Sequence, residues 1–89
     1  HPEELPIIEV HPNPFNPRTT ISYSLPEAAD VKLDVYSICG QKIETLIDGF
    51  MNVGIHTALF DASKHGSGIY IYRFQAGEYV KTGKMVMVK

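Results

Sequence analysis

The stretch from Gly66 to Lys89 leaves the chain few folding choices. Two apolar, β-prone runs flank Ala76-Gly77-Glu78. Such a pair predicts a hairpin, because glycine reaches the positive φ that tight strand connections require. In the first run Tyr70, Tyr72, Phe74 and Ala76 share one face, and Ile69, Ile71, Arg73 and Gln75 share the other. In the second, Met85 and Met87 alternate with Val86 and Val88, so both faces are apolar. A lone hairpin is marginal in water. The preceding residues are therefore expected to build a sheet sandwich around it, with the last strand ending at the close of the sequence.

The remaining chain must do this within 89 residues, which is one domain or one module of a longer protein. A domain of this size buries only about 60–65% of the surface its unfolded chain exposes, so modest stability is expected. The formal net charge is −2, which supplies no basic field for nucleic acid or anionic lipid. No apolar run approaches the roughly 20 residues of a membrane span. The first residues show no charged-then-apolar leader, which a module from the C-terminal part of a longer precursor would also lack. Cys39 is the only cysteine, so no internal disulfide can form and the compartment stays open.

Residues 1–10 carry two prolines and read as a linker or arm, with Ile7 to Val10 a short strand at an edge. His11-Pro-Asn-Pro-Phe-Asn-Pro17 cannot continue a helix. Asn13-Pro14 and Asn16-Pro17 favour turns, and Phe15 between them is expected to plug one end of the sandwich. Thr19 to Leu25 alternates with Ile21, Tyr23 and Leu25 inward. After a connection at Pro26–Asp30, Val31 to Tyr36 alternates with Val31, Leu33 and Val35 inward and Lys32 and Asp34 outward. Ser37–Gly40 is a turn with Gly40 at positive φ. Gln41 to Ile47 reads as a strand whose alternation slips between Ile43 and Leu46-Ile47, a slip that one bulge would repair. Asp48–Gly54 reads as a loop bounded by glycines. Ile55 to Asp61 alternates again, with His56, Ala58 and Phe60 opposite Ile55, Thr57 and Leu59, and Asp61–Gly68 is a second loop. Gln41–Phe50 is the one competing helical window, and its β-branched residues favour a strand. Short strands with turn signals at this spacing predict a seven-stranded, immunoglobulin-like antiparallel β-sandwich.

Catalytic chemistry finds no constellation. His1, His11, His56 and His65 show no metal spacing, and CxxC does not occur. His56 shares a face with Ala58 and Phe60 and reads as a hydrogen-bonded structural histidine. A nucleophilic Cys39 needs a base that no neighbour supplies, so it reads as a half-buried, incidental thiol. The acidic residues are scattered, so neither a carboxylate pair nor a calcium loop is built; turn capping accounts for Asp48 and Asp61. Gly66-Ser-Gly68 lacks the lysine and the helix of a phosphate loop. No cofactor is expected.

Pro12-Asn-Pro-Phe-Asn-Pro-Arg-Thr-Thr-Ile-Ser-Tyr-Ser-Leu-Pro26 resembles the opening of the C-terminal sorting domains of the type IX secretion pathway, a profile related to the immunoglobulin-like domain of the flagellar hook-capping protein. Val31–Tyr36, Gly40–Ile43, Gly54–His56, Phe60-Asp61, Ser67–Tyr70 and Lys84–Lys89 are similar to the remaining blocks, in the same order, so the resemblance covers residues 11–89. Phe60 stands where tryptophan is common in the family, and Cys39 and His65 where leucine is common.

The resemblance implies a non-catalytic address label for a larger exported protein of a Gram-negative bacterium. The cargo lies N-terminal in cis and crosses the periplasm. An outer-membrane translocon then recognises the sorting domain, and a cell-surface sortase cuts in the linker, here within about His1–Val10. The product is released or anchored at the cell surface. Carried over to this chain, recognition falls on Gly68, Tyr70, Lys84, Met85, Val86, Met87, Val88 and Lys89, while Pro12, Asn13, Pro14, Phe15 and His56 are structural. If the last strand lies at a sheet edge, its unpaired backbone groups could also add to a partner's sheet. Two other readings remain open. A carbohydrate-binding module would use Tyr36, Tyr72, Tyr79 and Phe50, and would need two or three of them coplanar on an open face. A structural spacer would need neither export nor a cleavable linker.

Overall fold

A computed structural model describes residues 5–88. Its strands are β1 (Ile7–His11), β2 (Arg18–Leu25), β3 (Ala29–Ser37), β4 (Lys42–Met51), β5 (Gly54–Asp61), β6 (Gly68–Ala76) and β7 (Tyr79–Met87). They form two antiparallel sheets, ordered β1-β2-β5 and β4-β3-β6-β7, packed as a sandwich. The expected all-β sandwich of seven strands is the observed one.

Alternation places the faces as read. Ile21, Tyr23 and Leu25 from β2, Val31, Leu33 and Val35 from β3, and Tyr70, Tyr72 and Phe74 from β6 are all buried. The Tyr23 ring meets Phe74 across the gap at 5.2 Å. Its hydroxyl is buried without a hydrogen-bond partner. The β6–β7 connection is only Gly77-Glu78, with Gly77 at φ 61, which fits a two-residue hairpin turn with glycine first. Gly40, at φ 91, occupies the left-handed position expected of it.

The strand after Gly40 differs from expectation in length and in bulges. Leu33 pairs with Ile47 but Asp34 with Thr45, so Leu46 is an extra residue. Val35 pairs with Glu44 but Tyr36 with Lys42, so Ile43 is a second. Two bulges therefore replace the one inferred, and both lean an apolar residue on the core. The expected loop at Asp48–Gly54 is not a loop. Asp48, Gly49, Phe50 and Met51 pair with Lys32, Val31, Asp30 and Ala29, and only Asn52-Val53 separates β4 from β5. Gly49 is not at positive φ, so it acts as a strand residue, held by its pairing against β3. β3 likewise begins at Ala29, inside the predicted connection.

Asp34 lies on the outward side of β3, yet it is 2% exposed. Thr45 Oγ1 donates to its Oδ1 at 2.7 Å, and Lys42 Nζ stands 4.0 Å away. Arg73 is its register partner on β6. A carboxylate can be covered there because it is hydrogen-bonded and has the Lys42 ammonium beside it.

Packing between β6 and β7 uses a glycine. Gly83 is the partner of Tyr72, and a Cβ at Gly83 would overlap the Tyr72 ring. The ring lies over the glycine, which lets an inward tyrosine sit flat. Gly83→Ala is expected to destabilise the fold by about 1–3 kcal/mol through displacement of that ring, measured by denaturant unfolding.

Burial raises the pKa of the Tyr23, Tyr70 and Tyr72 phenols. Their folded-state pKa values lie above the ordinary value of about 10. This stability is fully present below that pH and is lost as pH rises through the folded values. Alkaline unfolding followed by circular dichroism should therefore begin near pH 10, and Tyr23→Phe should move its onset upward while removing an unpartnered hydroxyl.

Candidate functional site

The free edge of β7 is where the singled-out residues meet. β7 pairs only with β6, so one long side of it faces away from the sheet. Met85 and Met87 turn inward and are buried, while Lys84, Val86 and Val88 turn outward. The proline-rich segment after β1 runs along that side. The Asn13 carboxamide donates to the Lys84 carbonyl at 3.1 Å and accepts from the Val86 N–H at 3.0 Å. The Phe15 N–H donates to the Val86 carbonyl at 2.9 Å, and the Phe15 carbonyl accepts from the Val88 N–H at 2.9 Å. A side-chain amide and one backbone residue thus stand in for a neighbouring strand. Pro12, Pro14 and Pro17 carry no N–H, so this substitute strand has little with which to extend the sheet further.

The arrangement corrects one expectation. β7 is at an edge, but its outward groups from the Lys84 carbonyl to the Val88 N–H are already bonded in cis. Strand addition by a partner along that half would first have to displace Asn13 and Phe15.

What fastens the substitute strand is the Phe15 side chain, 2% exposed. Its ring meets Phe60 edge-on at 6.1 Å and Tyr70 at 6.4 Å, and those two meet each other at 5.5 Å. Phe15 does plug one end of the sandwich. The Tyr70 hydroxyl donates to the Gly66 carbonyl, which ties the loop before β6 to the same cluster. Thr19 Oγ1, itself buried, donates to the Pro12 carbonyl at 2.7 Å. Phe60, in a tryptophan-rich position of the resembled family, fits here as one ring of three.

Pro12, Asn13, Pro14, Phe15, Gly68, Tyr70 and Lys84–Val88 are therefore brought together at one end of the molecule. Lys89 lies outside the described residues. Gly68 opens β6 at φ 140 and is exposed. His56 is apart from this group, near the start of β5, where it stacks on Tyr23 at 5.3 Å and bonds the Asn52 carbonyl at 2.8 Å. The hydrogen bond expected of it is present.

Beside the β7 edge, the outer face of the four-stranded sheet carries an apolar strip. Val86 pairs with Ile69, which is 38% exposed, and Val88 is 45% exposed beyond them. Lys84 pairs with Ile71 on the same face. A shallow cavity of about 490 Å³ lies next to Gly68 and Ile69, with Ile38, Lys42 and His65 also in its wall.

The other chemistries can be placed as well. Cys39 is exposed, not half-buried as expected, because it lies in the turn between β3 and β4 and not in a strand. Among the described residues no three His, Cys, Asp or Glu side chains are grouped to hold a metal ion, and no helix is long and apolar enough to cross a membrane. Of the aromatics considered for glycans, Tyr72 is buried and Tyr79 packs edge-on to Phe74 at 6.4 Å. Phe50 pairs opposite position 30 of β3 while Tyr36 is on β3 itself, about 20 Å apart at ~3.4 Å per residue. They do not form a coplanar platform.

Asn13 was legible only as a turn residue. Its second function, completing the β7 edge, depends on a strand more than seventy positions away. The sole sequence hint was an asparagine held between prolines beside an aromatic plug.

Residues 9–89 match the family described as secretion system C-terminal sorting domain. A search of curated proteins found no match.

Asn13→Ala removes two solvent-accessible hydrogen bonds while leaving Phe15 seated. A loss of about 0.5–1.5 kcal/mol is expected, together with faster amide hydrogen exchange at Val86 than at Met85, read by NMR. Phe15→Ala should cost about 3–5 kcal/mol, enough to unfold much of a domain this small.

Proposed function

The chain belongs to the family of type IX secretion C-terminal sorting domains, and on that premise we propose which surface is read and where the domain is separated from its cargo. The domain is a sorting signal that acts with the type IX machinery on cargo carried N-terminal in cis, and it belongs to a secreted or cell-surface protein.

The reader is the outer-membrane translocon, reached from the periplasm. It meets the outer face formed by Ile69, Val86 and Val88, flanked by Lys84 and the Gly68 turn. The observation that carries this reading is that β7 leaves its side-chain face open while its edge is bonded to Asn13 and Phe15. A partner then docks by burying apolar side chains and not by adding a strand. Tyr70, Met85 and Met87 point inward and hold that face in position, and Lys89 is the next residue in sequence after Val88. β1 belongs to the sorting unit, since it pairs with β2 and buries Ile8, so the sorting unit begins at Ile7 and the residues ahead of it are the connection to cargo. A surface sortase needs an extended, accessible peptide. Ile7–Val10 are paired with β2, so the cut falls ahead of Ile7, after which the cargo is released or anchored.

The test fuses residues 1–89 to an inert periplasmic reporter in a host with this pathway. The parent fusion should reach the cell surface. Ile69→Asp with Val86→Asp should lower surface display at least about tenfold, in line with the loss of about 1.4 kcal/mol of docking free energy, while circular dichroism shows the fold intact. Undiminished display of the folded double variant would overturn the face assignment. A parent fusion that stays in the periplasm would favour a spacer.

A further inference from the structure

Four strands of this sandwich lie at sheet edges, β1, β4, β5 and β7, and three of them are guarded against pairing with another chain. β1 is short, carries Glu9 and His11, and is followed directly by Pro12. β4 has two bulges and carries Lys42, Glu44 and Asp48. β7 carries Lys81 and Lys84 and is covered from Lys84 onward by Asn13 and Phe15. These are the usual protections of an edge.

β5 has none of them. Its register with β2 is unbroken from Gly54 to Asp61, and it contains no proline and no lysine. Its only acidic group, Asp61, is engaged by Arg18 at 3.2 Å. The Ala62 N–H bonds the Pro17 carbonyl, and that pair continues the β2–β5 register. By strand parity Phe60, Ala58 and His56 turn their backbone groups toward β2. Ile55, Thr57 and Leu59 turn theirs away. Their side chains also point out, and Ile55 is 78% and Leu59 59% exposed.

We propose that β5 is a self-pairing edge through which two copies of this chain join antiparallel about a twofold axis at Thr57, doubling the three-stranded sheet. A second copy is the occupant because the row is self-complementary. With Thr57 opposite Thr57 of the other copy, Ile55 of each falls opposite Leu59 of the other. Both pairs then involve residues whose N–H and C=O face the edge, so each pair exchanges two hydrogen bonds. The two most exposed apolar side chains of β5 cover one another, a threonine pair fills the centre, and no charge meets a like charge. A closed twofold contact of this kind ends at two copies.

Sedimentation equilibrium of the 89-residue chain under reductant, so that Cys39 cannot cross-link copies, should show a concentration-dependent dimer. Thr57→Lys and Thr57→Glu each place like charges on the axis and should weaken it at least about tenfold. Mixing the two variants should restore a heterodimer. Because Thr57 is exposed, both should keep the parent far-ultraviolet spectrum. Independently of any variant, the amides of Ile55, Thr57 and Leu59 should gain exchange protection as concentration rises, while that of Thr82 does not. A monomer at all concentrations would overturn the proposal, as would a dimer indifferent to both charges. So would a monomer whose reporter loses surface display on Thr57→Lys, since a foreign strand would then hold this edge.

Discussion

A two-sheet sandwich needs its ends filled and its strand edges satisfied, and in this protein one short segment does both. Phe15 enters the gap between the sheets against Phe60 and Tyr70. Its own backbone, with the Asn13 side chain, completes the hydrogen bonding of β7. The two functions are coupled through one residue. The buried ring gives the segment a fixed position, and only in a fixed position can its polar groups register with those of a strand. Without the ring, a run of prolines has no reason to lie along β7.

That coupling shapes the surface available for recognition. Bonding the edge in cis removes the generic, sequence-independent way for another chain to attach, which is strand addition. What remains at this end is a side-chain surface, Ile69, Val86 and Val88 beside Lys84, and it is this surface that is proposed for docking. A sorting domain must be read by its machinery and ignored by unrelated strands, and on the proposed assignment a closed edge beside an open face would serve both. β5 is the contrasting case. It keeps a regular row of outward backbone groups, at Ile55, Thr57 and Leu59, along an edge of the other sheet.

Most of the fold was legible because strands have a period of two. Ile21, Tyr23 and Leu25, or Tyr70, Tyr72 and Phe74, announce their buried face without reference to anything distant. The failures are equally physical. Gly49 read as a loop boundary, but a glycine within a paired strand needs no unusual φ, and β3 holds it in place. One bulge was inferred where two occur, since an apolar slip reveals itself only when it disturbs the pattern. Asp34 was assigned to the outward side, and it is there. Its burial follows from Thr45 and Lys42, which arrive from β4. At the candidate site, Phe15, Gly68 and the Lys84–Val88 run could be named in advance, whereas the bonds that Asn13 makes could not.

The amino-acid order alone determined an all-β chain, the inward and outward sets of its strands, its left-handed glycine at position 40 and its kinship with sorting domains. These are local properties: alternation, steric freedom at one residue, and short motifs in sequence order. Only the tertiary structure decided which strands lie side by side, and hence which edges are free. Edge occupancy belongs to the sheet and not to any strand in it. It is set by contacts between residues far apart in the chain, such as Asn13 with Val86, and no single stretch of sequence contains both partners.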